Sequence, residues 1–186
     1  MNIPRILCIS GKARHGKDTT ARYLKHALER DGKRVLVTHY GDLLKFMTKE
    51  YLNWNGKKDE EGRKLLQHVG TELVREKYPD FWVKYMAEVI TLFREEFDYV
   101  IIADTRFVNE LTYYSREHYV YPVKHIRVYR PNFDNGLTPE QKNHVSETQL
   151  DNAHWDYFVQ NWSDLNALRK QVNRLAQEIL RREIIE

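Results

Sequence analysis

Cysteine is nearly missing from this chain: Cys8 is the only one in 186 residues. No disulfide can form within the chain, and a reducing compartment is the natural expectation. Long apolar runs are missing too. The longest, around Tyr99 to Ala103, is far too short for a membrane helix, which excludes a helical membrane span. The opening Met1-Asn2-Ile3-Pro4-Arg5 has neither the basic start nor the apolar core of a secretory signal, so a cytoplasmic location is expected. A bias to one sign of charge is also lacking. The 30 Lys and Arg face 27 Asp and Glu, a net +3, and the basic residues are scattered. A dedicated nucleic-acid surface is therefore not indicated, whereas a pocket for small anions suits the composition.

There is no internal repeat, low-complexity tract or linker. With 41% apolar and 31% charged residues over this length, the chain is expected to form a single globular domain, residues 1–186. Arg5 to Ser10 is a short apolar run ending at Gly11 and reads as a buried strand. Ala21, Leu24 and Leu28 follow at helical spacing until Asp31-Gly32 stops them. Val35-Leu36-Val37 makes a second strand. A helical region from about Leu43 to Glu96 has breaks at Asn55-Gly56 and Pro79-Asp80. Phe97 to Ala103 is a third strand with Asp104 at its carboxyl end. Tyr121 to Tyr129 is a fourth, and Asp156 to Val159 a short fifth. Ser163 then caps a final helix whose Leu165, Leu168, Val172, Leu175 and Ile179 form one stripe. Strands alternating with helices predict an α/β fold: a five-stranded parallel sheet with helices on both faces. The ligand belongs at the carboxyl ends of the strands, where Gly11, Asp42, Asp104 and Arg130 all fall.

Between the first strand and the first helix stands Gly11-Lys12-Ala13-Arg14-His15-Gly16-Lys17-Asp18-Thr19. It fits the phosphate-loop pattern G-x-x-x-x-G-K-[ST] at every fixed position but the last, where Asp18 replaces the hydroxyl residue. The glycines let successive N–H groups face one anion, and the helix that follows adds the positive end of its dipole. Lys17 brings a point charge to the β- and γ-phosphates. An ordinary strand-to-helix turn with a solvated lysine would leave the second glycine unexplained. A carboxylate cannot donate a hydrogen bond to phosphate, but it is a hard oxygen ligand for Mg²⁺, directly or through water. Thr19 restores a hydroxyl one residue later. The loop is thus expected to hold the phosphates of ATP, with Asp18 on the metal side.

Several segments together resemble one family. They are GKARHGKDT at the loop; GDLLK at Gly41 to Lys45; RKLLQHVGTELVR at Arg63 to Arg75; PDFWV at Pro79 to Val83; IIADTRFVNE at Ile101 to Glu110; and HVSETQLD at His144 to Asp151. Their order and content resemble the deoxynucleoside monophosphate kinases of tailed bacteriophages, members of the adenylate-kinase-like phosphate-loop kinases. In nucleoside monophosphate kinases the Asp18 slot is commonly glycine followed by threonine, so the hydroxyl rule is already relaxed there. The resemblance implies a three-layer phosphate-loop kinase fold, with a helical acceptor-binding region over about 43–96 and a lid over about 130–147. It also implies ATP as phosphoryl donor, Mg²⁺, a (deoxy)nucleoside 5′-monophosphate acceptor and, for a phage protein, the host cytoplasm. Phosphomevalonate kinases look similar around the loop and supply the alternative. A nucleotide-binding module without turnover is a further one, and a homodimer stays open.

The remaining candidates divide by role. Asp104, where an apolar strand meets the nucleotide, suits a Mg²⁺-orienting acid; its alternative is to cap a helix starting near Thr105. Arg106 can bind phosphate oxygens bidentately, against a surface ion pair with Glu110. Arg63 and Gln67 share a helix face at i and i+4. The family likeness, not the spacing, suggests Arg63 for the acceptor phosphate and Gln67 for a base edge. Asp42 and Lys45 would contact sugar or phosphate, with helix capping by Asp42 the alternative. Trp82 could stack on a base or sit in the core. The polar 16-residue stretch from Pro131 to Ser146 has the length of a lid. Arg130 would clamp the transferring phosphoryl group on its closure, and His144 and Glu147 would anchor it. Asn161 resembles the adenine-side loop of the family. No second His or Cys has the spacing to make His144 a zinc ligand.

Overall fold

The computed structural model describes residues 3–115 and 121–183. Five strands, β1 (Arg5–Ser10), β2 (Val35–Thr38), β3 (Tyr99–Thr105), β4 (Val123–Tyr129) and β5 (Tyr157–Gln160), join one sheet. Its order is β2-β3-β1-β4-β5 and every pairing is parallel. The central strands β1 and β3 are buried almost throughout because both of their faces are covered. Leu7 and Ile9 of β1 share one buried cluster with Leu24 and Leu28 of α1 (Lys17–Arg30) and Leu168 and Val172 of α8 (Leu165–Glu183). On the opposite face the Cys8 thiol donates to the Glu110 carbonyl of α5 (Val108–Thr112), at 3.9 Å. Burial raises the Cys8 thiol to about 12, so this lone cysteine stays protonated and inert.

The chain forms two compact units, one of residues Met1–Thr38 with Phe93–Glu186 and the other His39–Leu92. The first contains the sheet. The second is inserted between β2 and β3 and consists of α2 (Tyr40–Leu52), α3 (Glu60–Gln67) and α4 (Phe81–Leu92). α2 stops at Asn53, which takes a left-handed φ of +53°. Asp59 caps α3 by accepting from the Gly62 N–H at 2.9 Å. α3 runs on into a wider turn over His68–Arg75, in which the Glu76 N–H reaches back five residues to the Thr71 carbonyl. Gly70 lets the Leu44 side chain lie close, since an added Cβ would come within 2.8 Å of its Cδ2 and make that side chain shift. The widening exposes the Gly70 carbonyl to the Trp82 indole, which donates at 3.0 Å.

Several element boundaries differ from expectation for local reasons. β3 begins two residues later than Phe97, because Asp98 is spent on the turn before it, accepting from the Arg34 N–H at 2.8 Å. Asp104 lies inside the end of the strand, and the N-cap position of the next helix falls to Phe107. β4 begins after Pro122, which has no N–H and offers only its carbonyl, to the Ile6 N–H at 2.8 Å. Asp164, not Ser163, caps α8: its carboxylate accepts from the Ala167 N–H at 2.8 Å. α2 starts at Tyr40, so Asp42 sits in its first turn and is not the cap. Within the stretch after β4, Thr138 and Gln141 form a reciprocal cap for α6 (Pro139–Asn143), with α7 (Val145–Thr148) following directly.

Leu24 is fully buried between the sheet and α8. Leu24→Ala is expected to lower unfolding free energy by about 2–5 kcal/mol in urea titrations, the usual range for such cavities. A loss under about 1 kcal/mol would mean that α1 is not packed on the sheet.

Candidate active site

The loop from Gly11 to Lys17 leaves the carboxyl end of the central strand β1, and three neighbours fix its path. Gly11 is pressed against β4, where an added Cβ would lie 2.3 Å from the Val128 carbonyl oxygen. Arg14 adopts a left-handed φ of +62°, and its guanidinium donates to the Asn135 carbonyl at 2.8 Å. Gly16 has a φ of +99° and faces Asn161, whose amide donates to the His15 carbonyl at 3.1 Å. α1 then starts at Lys17, so its first N–H groups are directed towards the loop.

Lys17 is buried, and its ammonium donates to the carbonyls of Gly11 at 2.8 Å and Lys12 at 3.1 Å. Burial, then repulsion from Arg106, lowers its pKa to about 7, with Glu147, Asp104 and Asp18 acting the other way. Both expected metal-side acids therefore act electrostatically on the loop lysine. Asp18 is exposed in the first turn of α1, and Asp104 is half-buried at the end of β3.

Arg106 is delivered by the turn between β3 and α5. The buried Glu110 carboxylate builds this turn, accepting from the N–H groups of Arg106 at 2.6 Å and Phe107 at 3.1 Å. The Arg106 guanidinium reaches the Ser146 carbonyl at 3.0 Å and the carboxylate of Glu147. The other Glu147 oxygen accepts from the Ala13 N–H of the loop at 2.9 Å. Burial alone would raise the Glu147 carboxyl, but the Arg106 guanidinium, the Ala13 N–H and the Lys17 ammonium outweigh it and hold it below its ordinary value. One turn further on, Asp151 bridges Lys12 at 2.9 Å and Arg127 at 3.0 Å. Arg127 also donates to the Ser10 hydroxyl at 3.0 Å and lies over the Trp155 ring.

Arg130 leaves β4 beside the loop. Its N–H donates to the His15 ring at 3.2 Å, and its guanidinium rests 3.9 Å from the Phe133 ring centre. Burial, together with Lys17 and Arg127, lowers the His15 pKa, which suits a neutral ring accepting at Nδ1. A cavity of about 700 Å³ opens here, lined by Lys12, His15, Arg130, Phe133, Lys142 and Glu147 among others. Loop amides, ammonium groups and guanidinium groups thus converge at the strand ends, with Glu147 and Asp151 set between them as counter-charges.

In the helical unit, Asp42 pairs with Lys45 at 2.6 Å and with the His39 ring at 3.2 Å. Burial opposes this, but these two neighbours lower the Asp42 pKa. Arg63 and Gln67 lie partly exposed on one face of α3. Trp82 is 3% exposed and hydrogen-bonded to Gly70, so it is the core residue of its two readings and presents no ring to a base. Sequence reasoning missed the Glu147 contact with the loop, the Asp151 bridge and the part of Arg127. The one available signal was the i, i+4 spacing of Glu147 and Asp151 in HVSETQLD, which puts both on one side of a turn.

Residues 34–172, most of the chain, match the sequence profile of deoxynucleotide monophosphate kinases. The chain belongs to that family. It is therefore a nucleotide kinase and a phosphotransferase. The family match begins beyond the phosphate loop, so the loop stands on its own geometry. No curated relative matches this kinase. Among solved structures it is similar to dephospho-CoA kinase from Campylobacter jejuni, at 13% identity over 95% of this chain and 97% of that one, TM-score 0.53. It is also similar to the APS kinase of Mycobacterium tuberculosis in complex with AMPPNP and APS, at 11% identity over 97% of each chain, TM-score 0.53. At these identities the likeness concerns the fold: a parallel sheet between helices.

The position of Lys17 predicts a proton linkage. Its folded pKa of about 7 lies below the ordinary 10.5, so between those values the folded kinase binds fewer protons than the unfolded chain. Stability of the wild type relative to Lys17→Met should rise with pH across that window, as measured by denaturation. A polyphosphate brought beside the ammonium favours its charged form, so binding of tripolyphosphate near pH ~8 should take up protons. Calorimetry in buffers of different ionisation enthalpy measures this uptake, and Lys17→Met should abolish it.

Proposed function

We propose that this kinase transfers the γ-phosphoryl group of ATP to a deoxynucleoside 5′-monophosphate. The observation that carries the reading is the loop itself. A buried lysine and glycine-shaped amides meet Arg106 and Arg130 at the strand ends, beside a cavity large enough for a nucleotide. The APS kinase of the same fold holds AMPPNP, which is consistent with an ATP donor here.

The acceptor phosphate is already ionised at neutral pH, so no side chain has to remove a proton from it. The work left to the protein is alignment and charge neutralisation. Lys17 moves from the loop carbonyls to the donor phosphates. Arg106 meets the transferring group from the β3–α5 turn, and Arg130 meets it from the end of β4. Gly11, Lys12, Ala13, Arg14, His15, Gly16 and Thr19 shape the loop around the phosphates. Asn161 braces the loop through the His15 carbonyl, at the place proposed for the adenine side.

Asp18 and Asp104 fit Mg²⁺. They are hard oxygen donors close enough to act on Lys17, and Mg²⁺ characteristically takes one or two carboxylates, waters and substrate phosphates rather than a closed protein cage. Asp18 and Asp104 would hold the ion, which would supply charge neutralisation at the donor phosphates. In the helical unit, Arg63 and Gln67 provide a cation and an amide for the acceptor, with Asp42 and Lys45 as a second polar pair. Trp82 drops out of the substrate set. We place the enzyme in the cytoplasm, in keeping with its single buried thiol.

Lys17→Ala is expected to keep the fold and to reduce phosphoryl transfer by about 10³-fold or more, by loss of electrostatic stabilisation. A coupled ADP-release assay with deoxynucleoside monophosphates, ATP and Mg²⁺ reads this directly, and wild-type turnover by the variant would refute the assignment. Arg63→Ala should raise KM for the acceptor by about tenfold or more while leaving KM for ATP nearly unchanged, as expected for one lost charge-assisted contact. The reverse pattern would move the acceptor site elsewhere.

A further inference from the structure

The Glu147 carboxylate stands where an anion binds. One oxygen accepts the Ala13 N–H of the phosphate loop at 2.9 Å, and the other meets the Arg106 guanidinium. A main-chain amide on one side and a guanidinium on the other is the donor set a phosphoryl oxygen would seek. The Glu147 side chain is only 6% exposed, so water contributes little to its neutralisation. Its support comes from the segment 144–151. The Ser146 carbonyl also takes Arg106, and Asp151 holds Lys12 and Arg127 one turn on. The segment therefore lays two carboxylates on the cations and amides that a polyphosphate needs. Lys17 meanwhile rests on loop carbonyls.

We propose that Glu147 is an internal placeholder for the terminal phosphate of the donor: its carboxylate keeps Arg106 and the Ala13 amide aimed at one point and is exchanged for phosphoryl oxygens when a triphosphate enters. Without some anion there, Arg106 and Lys17 would repel one another across the loop: Arg106 lowers the Lys17 pKa, and Glu147 acts against that. A carboxylate that remained in place would in turn repel the incoming phosphate. The same residue thus holds the site together when it is unliganded and competes with the ligand. Glu147 is a positioning residue, and its cost falls on the group that must replace it. The inference rests on the loop binding the donor phosphates, and its test separates the two ideas.

Glu147→Gln keeps the size and one acceptor oxygen but removes the charge. Calorimetric titration with AMPPNP, with ADP and with inorganic tripolyphosphate should show the variant binding the two triphosphate-length ligands about tenfold tighter than wild type, the scale of one screened charge contact, and ADP with a smaller gain. Equal or weaker binding of AMPPNP by a variant with a wild-type melting curve would overturn the placeholder role. So would an equal gain for ADP, because the displaced group would then not be the terminal phosphate. A second measurement uses the wild type alone: hydrogen exchange of the peptide covering 144–151 should speed up on saturation with tripolyphosphate, since Glu147 and Asp151 release their partners. Unchanged or slower exchange there would overturn the proposal. If the wild type bound none of the three ligands, the loop reading itself would fail.

Discussion

The site depends on keeping several cations and a row of main-chain amides pointed at one small volume. Lys12, Lys17, Arg106 and Arg127 repel one another, and burial of Lys17 adds a desolvation cost large enough to lower its pKa to about 7. The arrangement persists because carboxylates and carbonyls from elsewhere in the fold are set against it. Glu147 joins Ala13 to Arg106, Asp151 joins Lys12 to Arg127, and the carbonyls of Gly11 and Lys12 receive the lysine. The balance is one of charge: each buried or half-buried cation is matched by a carboxylate or carbonyl brought from another part of the chain.

The parallel sheet makes the convergence geometric. The ends of β1, β3 and β4 lie side by side in the order β3-β1-β4, so the loop, the Arg106 turn and the Arg130 exit are neighbours by topology. Close contacts then set the spacing. Gly11 lets the loop pass the Val128 carbonyl, and Glu110 folds the turn after β3 around its own carboxylate. The helical insertion between β2 and β3 carries polar residues of its own: Asp42 paired with Lys45, and Arg63 and Gln67 on one face of α3. Its own stability comes from an apolar interior in which Trp82 is fastened to the widened turn at Gly70. Membership of the deoxynucleotide monophosphate kinases fits a molecule that gathers lysines and arginines at the carboxyl ends of its strands.

Local chemistry was readable in the sequence. β1 ends where the apolar run meets Gly11, α1 stops at Asp31, and the glycines of the pattern from Gly11 to Thr19 fall in the turn between them, because short-range rules govern strand length, helix stops and tight turns. Boundaries went astray where the expected side chain was engaged elsewhere or a neighbouring one took its place. Asp98 was taken by Arg34, Asp164 rather than Ser163 caps α8, and Glu110 rather than Asp104 organises the turn before α5.

The sequence by itself determined most strands and helices, the parallel α/β class, the glycine turn between β1 and α1 and the residues whose charges could serve a phosphotransferase, since each depends on composition and spacing within a few residues. Only the tertiary structure decided which of those charges meet. Glu147 lies 134 positions from Ala13 and 41 from Arg106, and Asp151 lies 139 from Lys12. Contacts over such separations are set by strand order and by the route of the segment after β4, and no local pattern encodes them.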